Sequence, residues 1–77
     1  MDNLKTINGC LRTLQALQVK ADVSAFWVNV YKDGGLGISV TVFTWDDPDT
    51  PIGFSFYHFQ TPDIWRTEYR RLLGLIG

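Results

Sequence analysis

The chain is predicted to fold as an α+β domain in which a helix, three antiparallel strands and a second helix follow one another (αβββα), with both helices packed on one face of the sheet. Apolar residues recur at three- and four-residue steps near both ends of the chain. Three runs rich in β-branched and aromatic residues occupy the middle. The length of 77 residues suits one domain, residues 1–77, and leaves no room for a second core.

The first helix is predicted over residues 4–19. Its apolar residues share one helical face: they are Leu4, Ile7, Leu11, Leu14 and Leu17. Asp2 or Asn3 can cap its N-terminus. Gly9 costs the helix about 0.5–1 kcal/mol relative to Ala, and it fits either a close packing contact or a tolerated imperfection.

The three strands are predicted over residues 25–32, 37–45 and 52–59, because these runs are dense in Val, Ile, Phe, Trp and Thr. Residues 33–36, with two glycines, join the first two strands as a hairpin. Residues 46–51 contain two prolines that cannot continue a ladder, so they form a longer polar loop before the third strand.

The second helix is predicted to start at Thr61-Pro62-Asp63, which supplies an N-cap, a proline at the first helical position and an acid near the positive end of the dipole. Gly74 is expected to end it. Its apolar side comprises Trp65, Tyr69, Leu72 and Ile76, flanked by Ile64 and Leu73. A secondary basic patch faces elsewhere: Arg66, Arg70 and Arg71.

Alternation along the strands divides the sheet into two faces of different composition. The predicted core face carries only aliphatic residues and phenylalanines: Phe26, Val28, Val30, Ile38, Val40, Val42, Ile52, Phe54 and Phe56. A one-sided sheet is expected to be mostly polar on its other face. Instead, that face carries six aromatic residues, which form the candidate partner-binding set: Trp27, Tyr31, Phe43, Trp45, Tyr57 and Phe59.

Several interpretations of these aromatic residues remain open at this point. Aromatic residues are favoured in strands, and cross-strand pairs contribute about 0.2–1 kcal/mol each without any partner. The face can close on a second copy as a homodimer, or it can contact a different macromolecule. A one-residue error in strand register would exchange the two faces.

The sequence favours no enzymatic chemistry, cofactor or metal. His58 is the only histidine, and we expect it to be structural, on the third strand at the core face or its edge. Cys10 lies on an apolar helix side, where a thiol is inert packing. Asp46, Asp47 and Asp49 lack the spacing of a calcium loop and are expected to form a solvated turn.

Charge and hydropathy limit the partners and the location of the chain. The formal net charge is −1, so no overall positive field attracts nucleic acid or anionic lipid. No apolar run is long enough for a signal peptide or a membrane span, and a single cysteine fits a reducing compartment. We therefore expect a cytoplasmic protein without membrane contact.

The order of elements is similar to that of the double-stranded RNA-binding domain over nearly the whole chain, at the level of topology. That family has a Gly-Pro-x-His loop where this chain has residues 32–37, and a lysine-rich helix start where this chain has residues 61–66. Duplex nucleic acid is therefore an unlikely partner. Single-stranded nucleic acid is an alternative, because bases could stack on Trp27, Tyr31, Phe43 and Tyr57.

In size, mild acidity and αβββα order, the chain also resembles small proteins encoded by phages and mobile elements, including anti-CRISPR inhibitors. This resemblance implies a stoichiometric inhibitor of a host protein with no catalysis. The function that we predict is a small non-catalytic interaction module that presents an aromatic sheet face to a protein partner or to a second copy of itself.

Overall fold

Two helices flank three strands in the order predicted from the sequence. The computed structural model describes residues 6–32 and 37–76 of the chain. Within these, the elements are α1 (Ile7–Lys20), β1 (Ala25–Tyr31), β2 (Gly37–Phe43), β3 (Ile52–Tyr57) and α2 (Pro62–Ile76). The predicted α+β fold of the αβββα type is confirmed.

The N-terminus of α1 is capped by Thr6. The backbone of Thr6 is extended, and its Oγ1 accepts a hydrogen bond of 3.0 Å from the backbone N–H of Gly9. This bond satisfies one of the N–H groups that a helix leaves without an internal partner. The predicted caps Asp2 and Asn3 lie outside the described residues, as does Leu4.

The sheet has the order β1-β2-β3, with both pairs antiparallel, so β2 is central and the other two strands form its edges. Each strand is shorter than predicted, because Lys32, Trp45, His58 and Phe59 lie beyond the strand ends. After β3 the chain turns, and the backbone N–H of Gln60 donates a 3.0 Å hydrogen bond to the carbonyl of Tyr57. The predicted hairpin turn at residues 33–36 lies outside the described residues.

The core lies between one face of the sheet and the two helices. Among the described residues, every buried hydrophobic side chain of the sheet comes from the predicted core face: Phe26, Ile38, Val40, Val42, Phe54 and Phe56. The helices contribute the rest of the buried cluster: Cys10, Leu14, Leu17, Trp65 and Leu72. The burial of Cys10 is as predicted.

The second helix begins as predicted and ends later than predicted. Pro62 is its first residue, and the carbonyl of Thr61 accepts hydrogen bonds from Ile64 and Trp65. The prediction that Gly74 ends the helix is wrong. The helix continues to Ile76, because Leu75 and Ile76 pack against the core, which offsets the lower helix propensity of glycine.

Candidate binding surface on the open sheet face

The sheet face opposite the helices is the candidate functional surface, and we call it the open face. The register places its residues in cross-strand rows: Ala25 with Phe43; Trp27, Thr41 and Gly53; Asn29, Ser39 and Ser55; and Tyr31, Gly37 and Tyr57. Three of these rows carry aromatic residues, and the row of Asn29, Ser39 and Ser55 between the last two of them is polar. The surface therefore combines large apolar rings with hydrogen-bonding side chains.

Three of the predicted aromatic residues are well exposed on this face. Trp27 is 59% exposed, Tyr31 is 52% exposed and Tyr57 is 37% exposed. Phe43 lies on the same face and is half-buried. Exposure of this extent shows that the rings of β1 are not covered by any other described part of the chain.

Tyr57 lies directly over a glycine. A Cβ atom at Gly37 would lie only 2.7 Å from Cδ1 of Tyr57, so the ring occupies the space above the neighbouring strand. Glycine at this position lets the ring approach the sheet backbone. The tyrosine ring also stacks on that of Phe59, with centroids 5.3 Å apart and planes 5° apart.

The turn after β3 places Phe59 and His58 differently from the sequence prediction. Both residues lie beyond the strand, yet Phe59 still joins the aromatic set through its stacking on Tyr57. His58 is exposed and lies in this turn, so its predicted place on the third strand is wrong. Its ring meets that of Phe59 edge-on, with ring centroids 5.6 Å apart. Because β3 ends at Tyr57, the alternation of side chains between the two sheet faces does not extend to His58.

Trp45 is separate from the other rings. It lies two residues beyond β2, and its indole N–H donates a 2.9 Å hydrogen bond to Asp22 in the loop between α1 and β1. It lines a shallow cleft with Val23 and Leu75, at the end of the sheet next to Phe43. The six predicted aromatic residues therefore do not form one continuous cluster.

The two edges of the sheet differ. Side chains from α2 and the preceding turn cover the backbone of β3: Arg71 donates to the Gly53 carbonyl at 3.0 Å, Glu68 accepts from the Ser55 N–H at 3.2 Å, Gln60 accepts from the Tyr57 N–H at 2.9 Å and Trp65 donates to the Tyr57 carbonyl at 3.0 Å. These groups occupy positions at which another strand would pair. The β3 edge is therefore closed.

The β1 edge is closed at one end only. The side chain of Gln18 donates a 2.7 Å hydrogen bond to the carbonyl of Phe26. Because the backbone of Phe26 faces away from β2, alternation places the N–H and carbonyl groups of Val28 and Val30 on the same outer edge, while those of Asn29 face β2. No hydrogen bond from elsewhere in residues 6–32 and 37–76 reaches these groups, and Val30 is 40% exposed.

The predicted basic patch on α2 is largely paired with acidic residues. Arg66 contacts Asp63 at 3.0 Å, and Arg71 contacts Glu68 at 2.9 Å. The Arg71 guanidinium also lies 4.3 Å from the ring centroid of Phe54. These contacts compensate two of the three positive charges, and Arg70 is exposed.

The pKa values of both members of the Glu68–Arg71 ion pair at the β3 edge are shifted. Burial raises the pKa of Glu68, but hydrogen bonds from Arg71 and from the Ser55 N–H outweigh it and hold the pKa below its usual value. The hydrogen bond to Glu68 raises the pKa of Arg71. Both groups therefore stay charged near neutral pH, which keeps the edge covered.

In the core, burial raises the pKa of the Cys10 thiol to about 12. Burial also raises the pKa of Tyr69, and proximity to Cys10 adds to the effect. A thiol with this pKa is almost fully protonated near neutral pH and is a poor nucleophile. No group of three or more potential metal-ligating side chains occurs among the described residues.

Comparison with known proteins gives no match to a protein-family model, a curated protein or a solved structure. None of the helices described is long and apolar enough to cross a membrane.

The difference between the two sheet edges was not predicted from the sequence. Gln18 and Glu68 are polar helix residues, and the periodicity pattern does not distinguish such residues from solvated ones.

Proposed function

We propose that this chain is a small non-catalytic interaction module that binds a protein partner through its open face. The observation that carries the proposal is the exposure of Trp27, Tyr31 and Tyr57 on one side of a sheet whose other side holds the core. Tyr and Trp provide large contact areas with few rotatable bonds, and they are enriched where proteins bind each other. A stoichiometric inhibitor of a host protein would use such a surface.

The energetics require polar contacts as well as the rings. Three half-exposed rings offer about 300 Å² of apolar area, since each can bury about 150–250 Å² in full. At about 25 cal/mol per Å² this corresponds to about 7 kcal/mol before the costs of association, which are about 4–15 kcal/mol. The rings alone are insufficient for tight binding. Asn29, Ser39 and Ser55 lie between the aromatic rows and can supply directional hydrogen bonds.

Base stacking by single-stranded nucleic acid is the alternative use of the same rings, and the charge distribution disfavours it. A groove that follows a nucleic-acid backbone needs cations. Lys32 directly follows β1, whereas two of the three α2 arginines contact carboxylates. Asp46, Asp47 and Asp49 follow Trp45 in the chain.

Affinity capture with matched variants tests the proposal. The chain is immobilised as wild type, as the double variant Trp27→Ser and Tyr57→Ser, and as Val19→Ser. Val19 is 89% exposed on α1 and controls for the loss of an apolar side chain elsewhere on the surface. We expect a protein that binds wild type and Val19→Ser stoichiometrically and is lost from the double variant.

Nuclease treatment and salt separate the two classes of partner. A protein held by aromatic contacts stays bound after nuclease treatment and in high salt, whereas nucleic-acid binding weakens steeply as counterions compete. Circular dichroism of the double variant must show a folded chain. If the double variant unfolds, the rings stabilise the core and the assignment of the open face is wrong.

A further inference from the structure

The part of the β1 edge that no other described residue covers is a second surface, distinct from the open face. It extends from Val28 to Lys32, because Gln18 occupies the carbonyl of Phe26 at one end. A row of unpaired outward N–H and carbonyl groups is a template for pairing with another strand. The closed β3 edge offers no equivalent template.

We propose that two copies of this chain pair antiparallel through their β1 edges, with Asn29 opposite Asn29 of the second copy. In this register, Val28 lies opposite Val30 of the second copy, and the two symmetry-related pairs exchange about four backbone hydrogen bonds. The bond between Gln18 and Phe26 stays intact. A register centred on Val28 would require the Phe26 carbonyl, which Gln18 already occupies.

The side chains of β1 are complementary to themselves in this arrangement. On the open face, Trp27 lies opposite Tyr31 of the second copy, an aromatic cross-strand pair of a stabilising kind. On the core side, Val28 of the second copy lies beside Val30, which is 40% exposed in the single chain. Residues 27–31 carry no charge, so like charges do not oppose each other.

A second copy is therefore the occupant that fits this edge. The two sheets join into a continuous six-stranded sheet, and the open faces of both copies lie side by side and remain free for a partner. The contact involves about five residues per copy, whereas a stable interface uses roughly 20–30 residues per partner and buries roughly 1,200 Å² or more. The dimer is therefore reversible and depends on concentration.

Molar mass measured by light scattering over a wide concentration range tests the pairing. Wild type should rise from 8.8 kDa towards twice that mass. Val30→Pro removes an outward N–H without touching the ladder to β2 and should remain a monomer at every concentration. Val30→Thr keeps the N–H and the shape of the side chain, and it should still dimerise.

A cysteine at the two-fold axis tests the register independently. Residues opposite each other in a non-hydrogen-bonded pair have Cα atoms about 4.5 Å apart, within the range for a disulfide. Asn29→Cys should therefore form a disulfide-linked dimer under mild oxidation, whereas Gln15→Cys, on the exposed side of α1, should not. The natural Cys10 does not interfere, because it is fully buried.

Two results would overturn the proposal. One is a constant mass of 8.8 kDa for wild type with no cross-linking of Asn29→Cys. The other is a dimer that survives Val30→Pro but is lost in Tyr57→Ser, since Tyr57 lies on the far strand and would be needed only if the open faces pack together. The first result has no bearing on capture of a protein partner by the open face, so it overturns the pairing proposal alone. The second would mean that the open face binds a second copy, and the affinity capture described above then shows separately whether a different protein also binds there.

Discussion

The indole N–H of Trp65 donates a 3.0 Å hydrogen bond to the carbonyl of Tyr57. Through this bond a core residue of α2, only 4% exposed, covers the outer backbone of the residue whose ring lies on the open face. The same contact satisfies the single polar atom of the buried indole. The core and one edge of the sheet are thus stabilised by the same side chain.

Replacing Trp65 by Phe should lower the free energy of unfolding by about 1–2 kcal/mol, because a buried hydrogen bond contributes about 0.5–1.5 kcal/mol and some packing is lost as well. Urea unfolding followed by circular dichroism measures the change. Trp45→Phe is the matched control, since its indole also donates a hydrogen bond but is 64% exposed. Equal losses in the two variants would show that the contact with Tyr57 contributes nothing specific.

Removing Glu68 should open the β3 edge. In Glu68→Ala the N–H of Ser55 loses its acceptor and Arg71 loses its ion-pair partner, so the outer backbone becomes available for strand pairing. We expect larger oligomers in light scattering than for wild type. Glu68→Gln keeps an acceptor oxygen and should behave like wild type, so aggregation of both variants would mean that charge, and not the cover, is what matters.

Two glycines on the open face should respond oppositely to alanine. At Gly37 the new Cβ would meet Tyr57 at 2.7 Å, whereas at Gly53 no atom of the described residues, apart from its own and those of its two chain neighbours, lies within 4 Å. Gly37→Ala should therefore cost about 1–3 kcal/mol. Gly53→Ala should be neutral or stabilise by up to about 1 kcal/mol, because it reduces the freedom of the unfolded chain.

Thermal unfolding of both glycine variants measures these changes. If Gly37→Ala is as stable as Gly53→Ala, the ring of Tyr57 moves aside without cost. The position of Tyr57 over the strand would then not be fixed by the glycine.

The fold was predictable because the alternation of residues on three strands and the helical repeats all place apolar side chains on one side. Phe54 and Leu14 illustrate this, since each was assigned to the core by periodicity and each is fully or almost fully buried. The limits of the strands were harder to predict. Trp45 and His58 continue the β-rich composition but lie outside the ladder, because composition does not show where backbone pairing ends.

The open face was predictable as a set of aromatic residues, whereas its boundaries were not. Trp27 and Tyr31 were assigned to this face by alternation alone, and both lie on it and are exposed. The covering of β3 by Glu68 and Arg71 depends on how α2 lies along the sheet, which is a tertiary relationship with no local signal. For this reason the difference between the two edges emerged only from the structure.

Stability at alkaline pH should depend on Cys10. Burial raises the pKa of this thiol from its usual value of 9.0 to about 12, so above pH 9.0 the unfolded chain loses a proton that the folded chain retains. A group with a raised pKa stabilises the fold fully below its unfolded pKa, and this contribution is lost as the pH rises towards the folded value. The expected slope is at most about 1.4 kcal/mol per pH unit.

Urea unfolding of wild type and Cys10→Ala at a series of pH values from about 8 to about 10.5 measures this slope. The variant loses buried contacts, which lowers its stability by a constant amount, but it lacks the titrating thiol. The pKa of Tyr69 is raised chiefly by burial, which both chains share, and the smaller effect of Cys10 on it is lost together with the thiol and counts as part of the Cys10 contribution. The difference between the two curves therefore isolates Cys10 and should shrink steadily above pH 9.0. Parallel curves would mean that the thiol titrates alike in the folded and unfolded chains, and that the core around it admits water.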